Sequence, residues 1–157
     1  MMQHILFVCL GNICRSPTAE AVVRSKAAAR GMALTMDSAG TGRWHVGDPP
    51  HSEMQAAALA RGYDLSSLRA RQVVAADLRR FDMILGMDGQ NLADLRRLFG
   101  TEAADKLRQF TDFAPEGTAD HVPDPYYTGD FSGTLDLVEQ CAEGVLDHLQ
   151  GAGAAGR

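Results

Sequence analysis

The sequence predicts a single-domain α/β fold in which a parallel sheet is covered by helices on both faces. Short apolar runs alternate with helix-like segments along the chain, a pattern typical of parallel strands joined by right-handed crossovers. The chain has 157 residues, which is enough for one domain with a proper core, expected at 1–150. The remainder, 151–157, is expected to be a flexible tail.

Each element has its own local signal along the chain. A short apolar run predicts a buried strand at 5–8, and strand-like runs indicate further strands at 33–38, 82–87 and 107–110. Helices are expected at 17–30, 51–61, 90–99 and 132–149, with a short helical turn at 76–81 and an irregular stretch at 112–129. Gly31 and Gly62 end the first two helices, and Asp88 is placed to cap the helix after the third strand.

The loop between the first strand and the first helix carries the clearest functional signal. It begins at Cys9 and ends at Arg15 and Ser16, and Ser16 is expected to be the helix N-cap, with Pro17 at the first helical position. Backbone N–H groups in such a loop, together with the helix end, form a cradle for an oxyanion. Arg15 has the planar fork to hold two phosphate oxygens, and the same field favours the reactive thiolate of Cys9. The remaining phosphate-binding residues are predicted to be Leu10, Gly11, Asn12, Ile13, Cys14 and Ser16.

Asp124 is the candidate proton donor. A thiolate that attacks a phosphate monoester needs an acid to protonate the departing oxygen. Pro123 and Pro125 flank Asp124 and restrict the backbone to an extended geometry. Tyr126 and Tyr127 follow directly and are expected to line a slot for an aromatic leaving group.

The composition excludes several classes of function. A net charge of −5 offers no positive surface for nucleic acid, and no segment approaches the roughly 20 apolar residues of a membrane span. Three cysteines, two of them in one short loop, do not make a secreted disulfide framework, so a cytoplasmic location is expected. Five scattered histidines lack the spacing of metal ligands, so neither a metal nor a cofactor is expected.

Five short motifs occur together in a characteristic order and spacing. They are Cys9-Leu-Gly-Asn-Ile-Cys-Arg-Ser16, Ser38-Ala-Gly-Thr41, Arg71-Gln72, Met87-Asp88 and Asp124-Pro-Tyr-Tyr127. Together they resemble the low-molecular-weight protein tyrosine phosphatase family over about residues 4–150. The resemblance implies a doubly wound, four-stranded parallel sheet and hydrolysis of phosphotyrosine through a phosphocysteine intermediate. It also implies a phosphotyrosine-containing protein as substrate, and we expect a monomer or weak homo-oligomer.

The resemblance assigns roles residue by residue. Cys9 is implied as the nucleophile, Arg15 as the clamp on the phosphate and the transition state, and Asp124 as the general acid and then the base that activates water. Ser16 resembles the hydroxyl that hydrogen-bonds the thiolate. The supporting and lining residues implied are Asn12, which holds the loop in a strained shape with Ser38 as its partner, and Trp44, Tyr126 and Tyr127, which frame the substrate.

The chain departs from the family pattern at two positions. Arg43 precedes Trp44 where some members carry an acidic residue, which affects the expected peptide preference. Leu68 stands where some members place a histidine in the network behind the loop, so that network is expected to be shorter or differently completed. Of the histidines nearest the motifs, His45 and His121 are expected on the surface.

Two alternatives belong to other functional classes. An arsenate reductase with this fold needs two further cysteines near residues 80–90 for its disulfide relay, and the sequence has none there. A non-catalytic phosphotyrosine-binding module would lack the nucleophile or the acid, and both are present.

Cys141 lies on the apolar face of the last helix and is expected in the core. Cys14 is expected to form a reversible disulfide with an oxidised, redox-sensitive Cys9.

Overall fold

A computed structural model describes residues 3–155, and within them four strands pair in parallel in the order β2-β1-β3-β4. The strands are β1 (Gln3–Cys9), β2 (Leu34–Gly40), β3 (Met83–Gly86) and β4 (Leu107–Gln109). The predicted parallel sheet is therefore confirmed, with strand ends shifted by one or two residues in most cases. Ladder pairing extends β1 at both ends and β2 at its carboxyl end, whereas β3 and β4 are shorter than the predicted runs.

Six α-helices and two 3₁₀ turns connect and cover the strands in the described part of the chain. The helices are α1 (Arg15–Ala29), α2 (Ser52–Leu59), α3 (Asp77–Arg80), α4 (Gly89–Phe99), α5 (Pro125–Thr128) and α6 (Phe131–Ala155). The 3₁₀ turns lie at Thr101–Ala103 and Phe110–Phe113. The stretch expected to be irregular thus contains one short helix and the end of a 3₁₀ turn.

The residues of β1 alternate between two separate cores on opposite faces of the sheet. Ile5 and Phe7 point into a core with α1, α2 and α6, and Phe7 meets Phe110 edge-on at a ring distance of 5.5 Å. Leu6 and Val8 point into a second core formed mainly with α3 and α4. Since successive side chains of a strand point to opposite faces, this double burial explains the unbroken apolar run that predicts β1. It also confirms helices on both faces.

The beginning of α1 and the end of α6 differ from the sequence expectation. Helix α1 starts at Arg15, and Cys14 rather than Ser16 is its N-cap residue, because the Ser16 hydroxyl is directed at the Cys9 sulfur instead of the helix backbone. Helix α6 continues to Ala155, so five residues of the expected tail are helical. Alanine has the highest helix propensity and offsets the two glycines in this segment. Residues 156–157 of the expected tail lie outside the described residues.

The order of the strands in the sheet determines where the crevice that holds Cys9 lies. Strands β2 and β3 lie on opposite sides of β1, so the connections leaving β1 and β3 diverge and leave a crevice at the carboxyl ends of the strands. Cys9 is the last residue of β1, and Met87 and Asp88 directly follow β3. No helix in the described part of the chain is long and apolar enough to cross a membrane.

Candidate active site

The Cys9 sulfur sits inside a loop that directs hydrogen-bonding groups at it. The Ser16 hydroxyl oxygen lies 3.0 Å from Sγ, and the Asn12 backbone N–H donates to Sγ at 3.3 Å. Cys9 is 3% exposed, so these contacts replace water around the sulfur. Donors aimed at a buried sulfur stabilise negative charge on it, which is the form that acts as a nucleophile.

Asn12 organises the loop from behind. Its φ of 57° lies in the left-handed region, which asparagine tolerates better than most residues. The side-chain amide donates to Ser16 Oγ at 2.8 Å and to Ser38 Oγ at 3.0 Å, and its oxygen accepts from the Arg71 backbone N–H at 2.9 Å. The expected partnership of Asn12 with Ser38 is therefore present in the structure.

Two further residues complete the network behind the loop. Glu20 is 4% exposed and accepts from the Ser38 hydroxyl at 2.8 Å. Arg71, whose backbone N–H binds Asn12, holds Asp77 and Asp37 with its guanidinium at 3.0 Å each. Leu68 packs against the hydrophobic core and takes no part. The sequence interpretation missed Glu20, although its position four residues after Ser16 puts it on the same helix face.

The strand β2 also approaches the loop closely, which requires a glycine. A Cβ atom at Gly40 would lie 2.8 Å from the carbonyl oxygen of Leu10. Just beyond it, the Thr41 and Gly42 N–H groups donate to the carbonyls of Cys9 and Leu10, both at 2.9 Å. These hydrogen bonds fix the Cys9 and Leu10 carbonyl groups against β2 and the residues after it. The two carbonyl oxygens therefore cannot turn towards a bound anion and repel it.

Arg15 is held from one side by partners contributed by distant segments. Nη1 donates to Asp88 Oδ2 at 2.7 Å and to the Val122 carbonyl at 3.0 Å, and Nη2 donates to Asp124 Oδ2 at 3.3 Å. Nε is buried and has no hydrogen-bond partner among the described residues. Burial alone lowers the pKa of the guanidinium, but the Cys9 sulfur and the Asp88 and Asp124 carboxylates outweigh it and raise that pKa. Arg15 therefore stays a cation.

Asp88 is the partner of Arg15 that the sequence interpretation assigned only as a helix cap. Both functions occur together: Oδ1 accepts from the Asn91 N–H at 2.8 Å to cap α4, while Oδ2 binds Arg15. Its place directly after β3 could have indicated the contact with Arg15, because the ends of neighbouring parallel strands meet at one edge of the sheet.

Asp124 stands at the edge of the pocket, on the N-cap of α5. Its Oδ1 accepts from the Tyr126 N–H at 3.1 Å, which orients the carboxylate, and its Oδ2 reaches Arg15. Pro125 occupies the first turn of α5, where its fixed φ fits the helix. One carboxylate oxygen thus caps α5, while the other meets Arg15 at the pocket.

The pocket above Cys9 measures about 200 Å³ and has aromatic walls. Trp44, Tyr126 and Tyr127 all line it, as does Asp124. These aromatic side chains are well exposed, and the two tyrosine rings lie edge to face at 5.2 Å. The remaining lining residues are Leu10, Gly11, Ile13, Cys14 and His45.

His45 corrects one sequence expectation. It is only partly exposed, lines the pocket, and its ring lies 6.4 Å from that of Tyr126. Gly11 is the reason that it fits, because a Cβ at Gly11 would come within 3.1 Å of the imidazole. His121 is exposed, as expected. Arg43 is exposed as well.

The other two cysteines differ from Cys9 in their surroundings. Cys141 is fully buried in the core, as expected, and burial raises its pKa to about 12. Cys14 lines the pocket as a free thiol. Burial, followed by the nearby Cys9 and Asp124, raises the pKa of Cys14 to about 12 against the opposing effect of Arg15.

A thiol, a buried guanidinium and a carboxylate around one aromatic pocket define a cysteine-dependent phosphate monoester hydrolase. The family model for low molecular weight phosphotyrosine protein phosphatase matches residues 4–154. The chain therefore belongs to that family. It is a protein-tyrosine-phosphatase, and the reaction general to the family passes through a phosphocysteine intermediate.

Individual relatives agree over nearly the whole chain. The low molecular weight protein-tyrosine-phosphatase YfkJ of Bacillus subtilis is 41% identical, covering 95% of this chain and 97% of the relative. Its crystal structure has a TM-score of 0.93 at 40% identity and covers 97% of each chain. A protein tyrosine phosphatase structure from Entamoeba histolytica, with Hepes in its active site, has a TM-score of 0.90 at 35% identity, covering 96% of this chain and 98% of that one.

Proposed function

We propose that this protein removes phosphate from phosphotyrosine in protein substrates, with Cys9 as nucleophile, Arg15 as phosphate clamp and Asp124 as general acid and base. The observation that carries the proposal is the convergence of these three side chains on one pocket. Cys9 and Asp124 both line it, and Arg15 bonds to Asp124 from beneath.

In the first step the Cys9 thiolate attacks phosphorus, so that an S–P bond forms as the P–O bond to the tyrosine ring breaks. Asp124, in its protonated form, gives its proton to the departing phenolate oxygen. Arg15 Nη1 is engaged by Asp88 and the Val122 carbonyl, whereas Nε has no partner among the described residues and Nη2 makes one hydrogen bond, to Asp124. The Nε–H and the second N–H of Nη2 are therefore the groups for bidentate contact with phosphate oxygens.

In the second step water attacks the phosphocysteine. The Asp124 carboxylate takes a proton from that water, the S–P bond breaks, and inorganic phosphate leaves the Cys9 thiolate. Ser16 and the Asn12 N–H stabilise the sulfur as a leaving group through the same contacts that they make at rest. The remaining loop residues contribute backbone N–H groups that suit an anion.

The pocket walls support selectivity for aryl phosphates. Trp44, Tyr126 and Tyr127 offer flat apolar faces around the place of the leaving group, and aromatic contacts add about 1 kcal/mol each beyond area burial. Phosphoserine has no ring to fill this space. We therefore expect phosphotyrosine to be preferred.

The remaining assignments rest on sequence composition. We infer a cytoplasmic protein that acts as a monomer or weak homo-oligomer and binds neither nucleic acid nor membrane. A net charge of −5 supports the exclusion of nucleic acid, and three cysteines without a disulfide framework support the location.

The test compares kcat/KM for a phosphotyrosine peptide, the same peptide with phosphoserine, and arsenate reduction with a thiol donor. We expect the phosphotyrosine peptide to exceed the phosphoserine peptide by about two orders of magnitude, with no arsenate reduction. Faster turnover of phosphoserine or measurable arsenate reduction would reject the proposal.

A further inference from the structure

A second pocket lies beside the active-site pocket, on the other side of Trp44. It measures about 340 Å³ and shares two lining residues, Leu10 and Trp44, with the pocket above Cys9. Leu10 directly follows Cys9, so the second pocket reaches to within one residue of the nucleophile along the chain. Its opposite wall is the outer end of α4, where Leu98 stands.

The Trp44 indole forms the partition between the two pockets. It lies against the backbone of Gly42, where an added Cβ would come within 1.9 Å of the indole Cζ3. Only glycine leaves room for this arrangement. The backbone of Gly42 is itself fixed, because its N–H donates to the Leu10 carbonyl at 2.9 Å. The partition is therefore held by the same loop that surrounds Cys9.

The charged and amide side chains of the second pocket are already hydrogen-bonded. Arg97 Nη2 donates to Asp94 Oδ1 at 2.7 Å, and Gln72 Nε2 donates to the Thr41 carbonyl at 3.1 Å. An arginine and an aspartate that neutralise each other give no net attraction for a charged ligand. What the pocket offers is apolar surface from its remaining side chains.

Leu98 is the clearest sign that this apolar surface has a ligand. It is 42% exposed and lines the pocket together with the exposed Trp44, the partly buried Leu10 and the buried Val73. Exposed apolar side chains that gather around a concave surface, rimmed by polar residues, are typical of an interaction site. Because the surface is continuous with the phosphate pocket, its occupant is expected to be joined to the phosphotyrosine.

We propose that the second pocket is a subsite for one apolar side chain of the phosphoprotein substrate, a few residues from the phosphotyrosine. The proposal rests on the proposed function, since it assumes that a phosphotyrosine ring lies beside Trp44. An extended peptide advances at most about 3.5 Å per residue, so a neighbouring side chain crosses Trp44 and enters the second pocket. Leucine, isoleucine or methionine matches the apolar lining, whereas aspartate, glutamate, lysine and arginine do not.

The test measures kcat/KM for a set of phosphotyrosine peptides with an alanine background. Leucine is placed singly at each of the three positions before and after the phosphotyrosine. We expect one position at which leucine raises kcat/KM about tenfold over alanine, the effect of one apolar side chain in a hydrophobic pocket. Glutamate at that position is expected to abolish the gain.

Leu98→Glu tests the pocket itself, because it places a charge there without touching the catalytic residues. The leucine preference is expected to disappear in Leu98→Glu and to fall by about half in Leu98→Ala, while p-nitrophenyl phosphate hydrolysis is unchanged. Leu59→Glu is the matched control, since Leu59 is also an exposed leucine, at 62%, but lies on α2 and lines neither pocket. It is expected to keep the preference.

Two results would overturn the subsite. One is a wild-type enzyme that shows no leucine preference at any position, and the other is a preference that Leu98→Glu retains. Thermal unfolding of both glutamate variants checks that they are folded. Failure of the proposed function looks different, because the wild-type protein would then hydrolyse neither the peptides nor p-nitrophenyl phosphate.

Discussion

Arg15 and Ser16, beside the proposed nucleophile Cys9, are 3% and 0% exposed, whereas Trp44 and Tyr127, at the mouth of the same pocket, are 71% and 75% exposed. The buried residues each have fixed hydrogen-bond partners, and these partners come from the end of β1, the loop that follows it, β2 and the segments after β3 and before α5. In contrast, the Tyr127 ring meets the Tyr126 ring edge to face, and the Trp44 indole lies against the backbone of Gly42.

This difference separates chemistry from recognition within one site. Groups that stabilise a transition state gain most when their positions are fixed before the substrate arrives, because no reorganisation is then needed. Groups that only surround the leaving group gain from contact with the bound ring, and partial exposure leaves their surface free for it. Substitutions in the buried loop are therefore expected to lower kcat strongly, whereas substitutions in the aromatic wall are expected to change KM modestly.

The largest effect is expected for the nucleophile and the clamp. Cys9→Ser and Arg15→Lys should each lower kcat/KM for phosphotyrosine by about four orders of magnitude, because a serine hydroxyl is scarcely ionised and a lysine lacks the bidentate fork. Steady-state kinetics measures the loss. Arg24→Lys is the control, since Arg24 is a half-exposed arginine on the same helix. Substantial turnover in either loop variant would mean that the substituted residue is not required for the reaction.

Asp124→Asn is expected to lower kcat for phosphotyrosine by about 100-fold. The loss should be less than tenfold for 2,4-dinitrophenyl phosphate, whose leaving group needs little protonation. Asp120→Asn controls for charge, because Asp120 is a nearby acidic residue that is 96% exposed. Equal losses on both substrates would mean that Asp124 serves only to cap α5 and hold Arg15.

Oxidation tests whether Cys14 forms a disulfide with Cys9 inside the buried loop. Peroxide should convert the Cys9 thiolate to a sulfenic acid, which Cys14 attacks to form a disulfide with release of water. A thiol reductant should then restore activity, bound phosphate should protect, and Cys14→Ser should lower the recovered fraction about tenfold. Mass spectrometry of the oxidised protein identifies the bond. Full recovery in Cys14→Ser would exclude this role.

The pH dependence of that trapping follows from the raised pKa of Cys14. Since this pKa is about 12, Cys14 is almost entirely a thiol at neutral pH. Its reactive thiolate fraction grows roughly tenfold per pH unit below that value. Disulfide formation after a fixed peroxide pulse should therefore be faster at higher pH. A rate that is flat or falls as pH rises would contradict the buried environment of Cys14.

The smallest effect is expected at the aromatic wall. Trp44→Ala should raise KM for aryl phosphates about fivefold through loss of one aromatic contact, with little change in kcat or in thermal stability. Trp44→Phe keeps an aromatic face and should recover most of the affinity. An unchanged KM in Trp44→Ala would place the indole outside the substrate site. A large fall in kcat would contradict the conclusion that the exposed aromatic wall acts in binding and not in the chemical step.

The sequence by itself determined the features that depend on neighbours in the chain. Cys9 and Arg15 belong to one short loop, and the Asp124-Pro125 pair fixes its own backbone, so their spacing alone predicts a phosphate cradle and an acid beside two tyrosines. The apolar runs of β1 and β3 likewise predict these strands, because a strand buried on both faces needs apolar side chains at successive positions. The two edge strands, β2 and β4, are less buried, and their sequence signals are correspondingly weaker.

Only the tertiary structure decided which distant groups complete the site. Arg15 pairs with Asp88 because β3 lies next to β1, and Asn12 reaches Ser38 because β2 lies on the other side. His45 enters the pocket because Gly11 leaves space for its ring. Such contacts depend on strand order and on close approach between segments far apart in the chain, and local periodicity carries no information about either.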